Sequence, residues 1–207
     1  MRRTEWMISS HRVVLAFGGA IVLTSSATLA GRSAWPPAAT GQPAAAAQLV
    51  LQSPDITPGG SIALEHVYDR SGCHGGNISP ALAWRHPPAG TRSFALLMFD
   101  PDAPGGGWWH WAVFDIPATV TSLRAGAGNP AGHLLPAGAV QGRNDFGSPG
   151  YGGPCPPPGS PHHYRLTLYA LRLAKLGLGT DASPAQINGR ARASALAEAQ
   201  VVGLYGR

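Results

Sequence analysis

From residue 49 onward the apolar residues come in strand-length pieces separated by turn-forming clusters, not in long helical stripes. The run 94–99 (FALLMF) has no polar break, which predicts a central β-strand covered on both faces. Segment 109–116 alternates instead. It puts His110, Ala112, Phe114 and Ile116 on one face, and Trp109, Trp111, Val113 and Asp115 on the other. Segment 164–171 alternates too, with Tyr164, Leu166, Leu168 and Ala170 on one side. Segment 61–68 follows Pro58-Gly59-Gly60 and reads as a further strand, and the short apolar piece 81–84 follows the turn 77–80. One helix is signalled near the end. Ser183 caps it, Pro184 suits its first position, and Gln186 completes a capping box. Ile187, Ala191, Ala195, Ala199 and Val202 then recur at helical spacing, with Gly203 as the stop. The pattern predicts a mainly β, antiparallel domain over 49–207 with a C-terminal helix packed on it.

The N-terminus follows another rule. Arg2, Arg3 and Arg12 precede the apolar stretch 13–23, and small residues follow at 24–30. This is the order of an export signal over 1–30, and the apolar stretch is short for a bilayer span. The chain is therefore expected to be periplasmic or secreted, an uncleaved membrane anchor being the alternative. Residues 31–48, rich in Ala and Pro, read as a linker.

Composition supports the β reading: the 207 residues include 28 Gly and 20 Pro, which suits many turns. The formal charge of +5 narrows the partner classes. The basic residues outside the signal are scattered arginines and a single lysine, Lys175, with no basic run. Nucleic-acid binding therefore has no electrostatic footprint. In an exported protein, Cys73 and Cys155 meet an oxidising compartment and could form one bridge; two separate buried thiols are the other reading.

Three segments concentrate chemistry. Asp100-Pro101-Asp102-Ala103-Pro104 holds two carboxylates on a proline-stiffened loop directly after the apolar run. Trp108-Trp109-His110-Trp111 opens a strand with a histidine among large aromatics. The third runs from Tyr151-Gly152-Gly153-Pro154-Cys155-Pro156-Pro157-Pro158 to His162-His163-Tyr164. Each alone has an ordinary structural meaning: a turn start, a core histidine, a rigid connection. Together they would bring carboxylates, imidazoles and a tyrosine to the ends of neighbouring strands, as a small-ligand site requires.

DPDAP, the following HW, and PH-x-Y behind a GGPCPPP loop resemble the phosphatidylethanolamine-binding proteins, also called Raf kinase inhibitor-like proteins. GCHGGNISPALAW and GRNDFGSPGYGGPCPPP resemble the bacterial YbhB/YbcL-type branch in particular, and the similarity covers about 49–207. The resemblance implies a large antiparallel sheet packed with a smaller one, short helices, and a pocket for phosphate or phosphoryl head groups. By resemblance, Asp100, His110 and His162 line that pocket, and Tyr164, Pro104, Trp108 and the loop Gly153–Pro156, with Cys155, form its walls. Imidazole N–H groups and loop amides are expected to donate to phosphate oxygens, while Asp100 orients a histidine or accepts from a ligand ammonium. Asp102 is expected to be structural, tying its loop to backbone amides. The chain departs from the family at His163, where the family usually has Arg.

The reading is thus a non-enzymatic binding protein needing no cofactor and no metal, its ligand a phosphorylated small molecule or lipid head group. No G-x-S-x-G nucleophile elbow occurs: Ser148 sits in Gly147-Ser148-Pro149-Gly150. The partners left open beside the ligand are another protein and a second copy of the chain in a homodimer; the alternative functions are an inhibitor or regulator of a protein partner and a metal-dependent hydrolase using Asp100, His110 and His162. A third is thiol chemistry at Cys73 beside His74.

Overall fold

The structure, a computed structural model, describes residues 48–207. The expected signal and all but the last residue of the linker lie outside the described residues.

Two antiparallel sheets carry the fold. The smaller is built from β1 (Val50–Gln52), β2 (Leu82–Arg85) and β5 (Ser122–Leu123), in the order β1-β2-β5. The larger contains β3 (Ser93–Asp100), β4 (Trp108–Pro117), β6 (Val140–Gln141), β7 (His162–Leu171) and β8 (Ala195–Tyr205), in the order β6-β4-β3-β7-β8. The helix α1 (Pro184–Ser194) packs on the outer face of the large sheet.

The unbroken apolar run becomes β3, the middle strand of five. Its even residues Phe94, Leu96 and Met98 enter the core between the sheets, with Leu82 and Trp84 of β2 and Leu166 and Leu168 of β7. Its odd residues Ala95 and Leu97 enter a second core under α1, with Ile187 and Ala191. Each fully buried large side chain contributes roughly 1.5–3 kcal/mol, so a strand buried on both faces has no room for a polar residue until its end. That end is Asp100.

Two expectations fail, for identifiable reasons. Segment 61–68 is not a strand. Ser61 makes one isolated bridge to Leu204, and Leu64–His66 forms a 3-10 turn. The C-terminal helix has the expected capping box but stops at Ser194, and 195–205 become the eleven-residue strand β8. Alanines favour helix by only about 0.5 kcal/mol per residue. Against this, β7 needs a partner for its outer backbone groups. The ladder from Leu171 opposite Ala195 to His162 opposite Tyr205 supplies one. Gly203 therefore lies inside a strand, opposite Tyr164, and is not a helix stop.

Candidate ligand-binding site

At one end of the large sheet, β3 finishes where β4 and β7 begin, so Asp100, Trp108–His110 and His162–Tyr164 come together. Period two fixes their direction. Asp100 continues the Phe94, Leu96, Met98 face, and His162 and Tyr164 continue the Leu166 face. All three thus extend the inter-sheet core as its polar end.

His110 should not share that face by simple alternation, because Ala112 and Phe114 point into the core under α1. The ladder shows why it does. Met98 pairs with Trp111 and Phe99 with Trp109, leaving His110 as the extra residue of a β-bulge. The bulge sends Trp109 toward the helix side against Phe99, at 4.3 Å between ring centroids. It turns His110 onto Tyr164, at 5.1 Å. A second irregularity near Asp115, whose φ is 56°, returns Ile116 to the inter-sheet core. The faces expected for 109–116 are corrected at both points.

These residues wall a cavity of about 300 Å³. Of the sequence-predicted set, Asp100, Pro104, Trp108, His110, Cys155, Pro156, His162 and Tyr164 line it; Gly153 does not. Gly153 stands behind the wall, its N–H donating to Asn77 Oδ1 at 2.8 Å. A Cβ there would lie 2.1 Å from the His66 carbonyl oxygen, so only glycine fits. The cavity also takes in Ala103, Phe146 and Pro157, which sequence reasoning did not single out. Phe146 lies in the GRNDFGSPGYGG run, but no spacing marks it. Its position is set by Asp145, whose carboxylate accepts the Trp109 N–H at 2.8 Å. Phe146 then meets both Trp108 and His110 at 5.5 Å.

The polar groups are largely committed already. Asp100 Oδ1 accepts the N–H groups of Asp102 and Ala103 at 2.9 and 3.2 Å. Its Oδ2 lies 2.7 Å from His162 Nδ1, which donates to it. His110 Nδ1 faces the carbonyl oxygens of Gly152 at 2.7 Å and Gly153 at 3.1 Å. A carbonyl only accepts, so this nitrogen carries the proton. Burial holds the His110 pKa below the ordinary imidazole value, against the opposing pull of the Gly152 carbonyl and the Asp100 charge. The Gly152 N–H returns to the His110 carbonyl at 2.9 Å. The Tyr164 hydroxyl and the Trp108 indole N–H are buried with no hydrogen-bond partner among the described residues. Desolvation, reinforced by the Asp100 charge, pushes the Tyr164 pKa up, so its phenol stays protonated. The His110 Nδ1 and the Gly152 and Gly153 amides are thus all taken up inside the protein.

At the rim, Asp102 Oδ2 accepts both the backbone N–H of His163 at 2.7 Å and its ring Nδ1 at 2.8 Å. The backbone bond first, and the ring second, hold the Asp102 carboxyl below its usual pKa. Asp102 is structural, as its place in the loop suggested, and His163 faces it where the family usually has Arg. Cys73 and Cys155 form a disulfide, which settles the two readings of the thiols and removes Cys73 as a nucleophile. Arg207 clamps the same loop, donating to the carbonyls of Pro156 at 2.6 Å and Gly72 at 2.9 Å. Among the described residues no group of three His, Cys, Asp or Glu side chains is arranged to hold a metal ion.

Comparison with known proteins gives a consistent answer. The family model described as phosphatidylethanolamine-binding protein matches residues 52–206. YbcL of Escherichia coli is 47% identical over 164 residues, covering 78% of this chain and 90% of that protein. YbhB of Escherichia coli is 40% identical over 156 residues, 75% of this chain and 98% of that protein. A candidate lipoprotein, LppC, of Mycobacterium tuberculosis is 38% identical over 165 residues, 79% of this chain and 75% of that protein. The crystal structure of Escherichia coli YbcL, described as a new member of the mammalian PEBP family, superposes with a TM-score of 0.76 at 46% identity. It covers 78% of this chain and 99% of that one.

Proposed function

The chain belongs to the phosphatidylethanolamine-binding protein family, YbhB/YbcL type, and from that premise we propose that it is a non-enzymatic binding protein for phosphate or phosphoryl head groups. The observation that carries this reading is the meeting of His110, His162, Asp100 and Tyr164 in one small cavity with otherwise apolar walls. About 300 Å³ is at the low end for ligand pockets, suited to a head group rather than a whole lipid. The absence of turnover is part of the proposal. Among the described residues no serine or threonine lines the cavity, and Cys155 is bridged, so the hydroxyl and thiol nucleophiles of covalent catalysis are not offered to a ligand.

Export is proposed with it, supported by the basic and apolar order of the N-terminus, by the disulfide, and by the LppC relative. No described helix is long and apolar enough to cross a membrane.

Titration calorimetry with O-phosphorylethanolamine and with inorganic phosphate tests the binding reading. One equivalent is expected to bind at millimolar concentration or below, with at least a tenfold loss in His162→Ala. No binding by a protein whose circular dichroism shows it folded would refute it.

A further inference from the structure

An anion pocket ordinarily offers fixed cations or a row of N–H donors. This one offers neither. Among the described residues no Lys or Arg lines it, and the one fixed charge is the carboxylate of Asp100. Arg207 sits behind the loop, spent on the Pro156 and Gly72 carbonyls. The Gly152 and Gly153 amides point away, and Pro104, Pro156 and Pro157 have no N–H. What remains is an uneven set, to which His162, its Nδ1 on Asp100, adds only its Nε2. The Tyr164 hydroxyl and the Trp108 N–H are donors in the wall with no hydrogen-bond partner among the described residues, the hydroxyl lying near Asp100. His110, its Nδ1 proton fixed on two carbonyls, has only Nε2 left, and that nitrogen is a lone pair as long as the ring is neutral.

The ring stays neutral for a geometric reason. It is 3% exposed, between Tyr164, Phe146 and the Gly152–Gly153 backbone. The charged or titratable groups facing it are Asp100 from β3, His162 and Tyr164 from β7, and Asp145 from the loop before Phe146. Asp100, the carboxylate in the cavity, exerts the larger pull of the two acids, and three hydrogen bonds already share its charge.

We propose that the pocket takes its oxyanion in a singly protonated form, the ligand's own O–H donating to the Nε2 lone pair of His110. This deepens the reading of the site as a phosphoryl pocket and rests on it. A phosphate monoester as monoanion has both features the wall asks for: oxygens to accept from Tyr164 and Trp108, and one P–OH to donate to His110. It also brings one negative charge beside Asp100 rather than two. A sulfate or sulfonate has the same tetrahedral shape and no proton to give. His110 is thereby a specificity-determining residue, reading the ligand's proton.

The test compares O-phosphorylethanolamine with taurine and sulfate on the protein with its disulfide intact, by calorimetry from pH 5.5 to 8.5. A phosphate monoester loses its second proton near pH 6. Its affinity is expected to fall about tenfold per pH unit above that point, with about one proton taken up per ligand bound at pH 8. Sulfate and taurine, leaving a buried acceptor unpaired, are expected to bind roughly tenfold to a hundredfold more weakly than the ester at pH 6. Sulfate matching the ester in affinity and slope would put the proton on an imidazole and overturn the assignment, as would an ester affinity flat across the range. An ester that binds at no pH would refute the phosphoryl reading itself, and this inference with it.

Discussion

Replacing Tyr164 by Phe should stabilise the free protein while weakening its grip on ligand. The side chain is 0% exposed, and its hydroxyl has no hydrogen-bond partner among the described residues. Such a group gives up hydration and regains nothing, a penalty of about 1–3 kcal/mol. Tyr164→Phe keeps the ring and its edge-to-face contact with His110, so the packing loss is limited to one oxygen. At roughly 0.1–0.2 kcal/mol per atom pair, that loss stays under about 1 kcal/mol. The net expectation is a gain of about 1 kcal/mol. For a domain of this size, that raises Tm by about 2–4 °C.

The assay is a thermal melt of both proteins near pH 7, with and without O-phosphorylethanolamine. Without ligand the variant should melt higher. With ligand the ordering should narrow or reverse, because the wild type alone can donate from residue 164. The competing outcome is well defined: Asp100 is close enough for its charge, and for a side-chain contact short of regular hydrogen-bond geometry, to raise the Tyr164 pKa. A hydroxyl donating to that carboxylate in solution would be worth about 1.5–3 kcal/mol, and its removal would lower Tm. A lower Tm in the ligand-free variant refutes the view of Tyr164 as a donor held open for ligand.

Three further outcomes follow from the geometry. The Cys73–Cys155 bridge spans 82 residues of sequence, so chain entropy assigns it about 4 kcal/mol; the Cys73→Ser, Cys155→Ser double variant should melt roughly 8–16 °C lower. Gly107 has φ of +105°, and a Cβ there would lie 2.1 Å from Phe99 Cζ; Gly107→Ala should cost about 3 kcal/mol or more in chemical denaturation and loosen the Phe99–Trp109 contact seen by tryptophan fluorescence. His110 has its pKa lowered in the fold, so the unfolded chain takes up that proton first as pH falls. Its contribution is complete above about pH 6.5 and is lost below it. His110→Asn, which can still donate to the Gly152 carbonyl, should flatten the fall in Tm between pH 7 and 5.

How far the sequence reached depends on which interactions decide each part. The polar end of the inter-sheet core was legible because it follows from local pattern. An apolar run closing on Asp100, and an alternating strand with Tyr164 on the face of Leu166, leave those side chains little choice of direction. The capping box at Ser183 was legible for the same reason: its partners are three residues apart. What could not be read is set by pairing between distant segments. The identity of 195–205 depends on β7 lacking a partner, and nothing inside that alanine-rich stretch states it. The donor inventory of the cavity depends on where Gly152 and Gly153 spend their amides, on His110 and on Asn77 76 residues away.

The His110 bulge is the sharpest case, because among the residues that alternation misplaces is the one the pocket depends on. A regular β4 would leave His110 beside Ala112 under α1, and no change of side chain at 110 could bring it back. One extra residue opposite the Met98–Phe99 step moves it across the sheet. The reciprocal bonds from Gly152 and from Asp145 to Trp109 and His110 then hold the strand in that register. The same contacts that aim the ring also fix its Nδ1 proton on the Gly152 carbonyl. Register, tautomer and ligand preference are therefore one constraint, and deleting Trp109, which would leave His110 opposite Phe99 in a regular strand on the α1 side, should abolish binding even where the β-sheet survives.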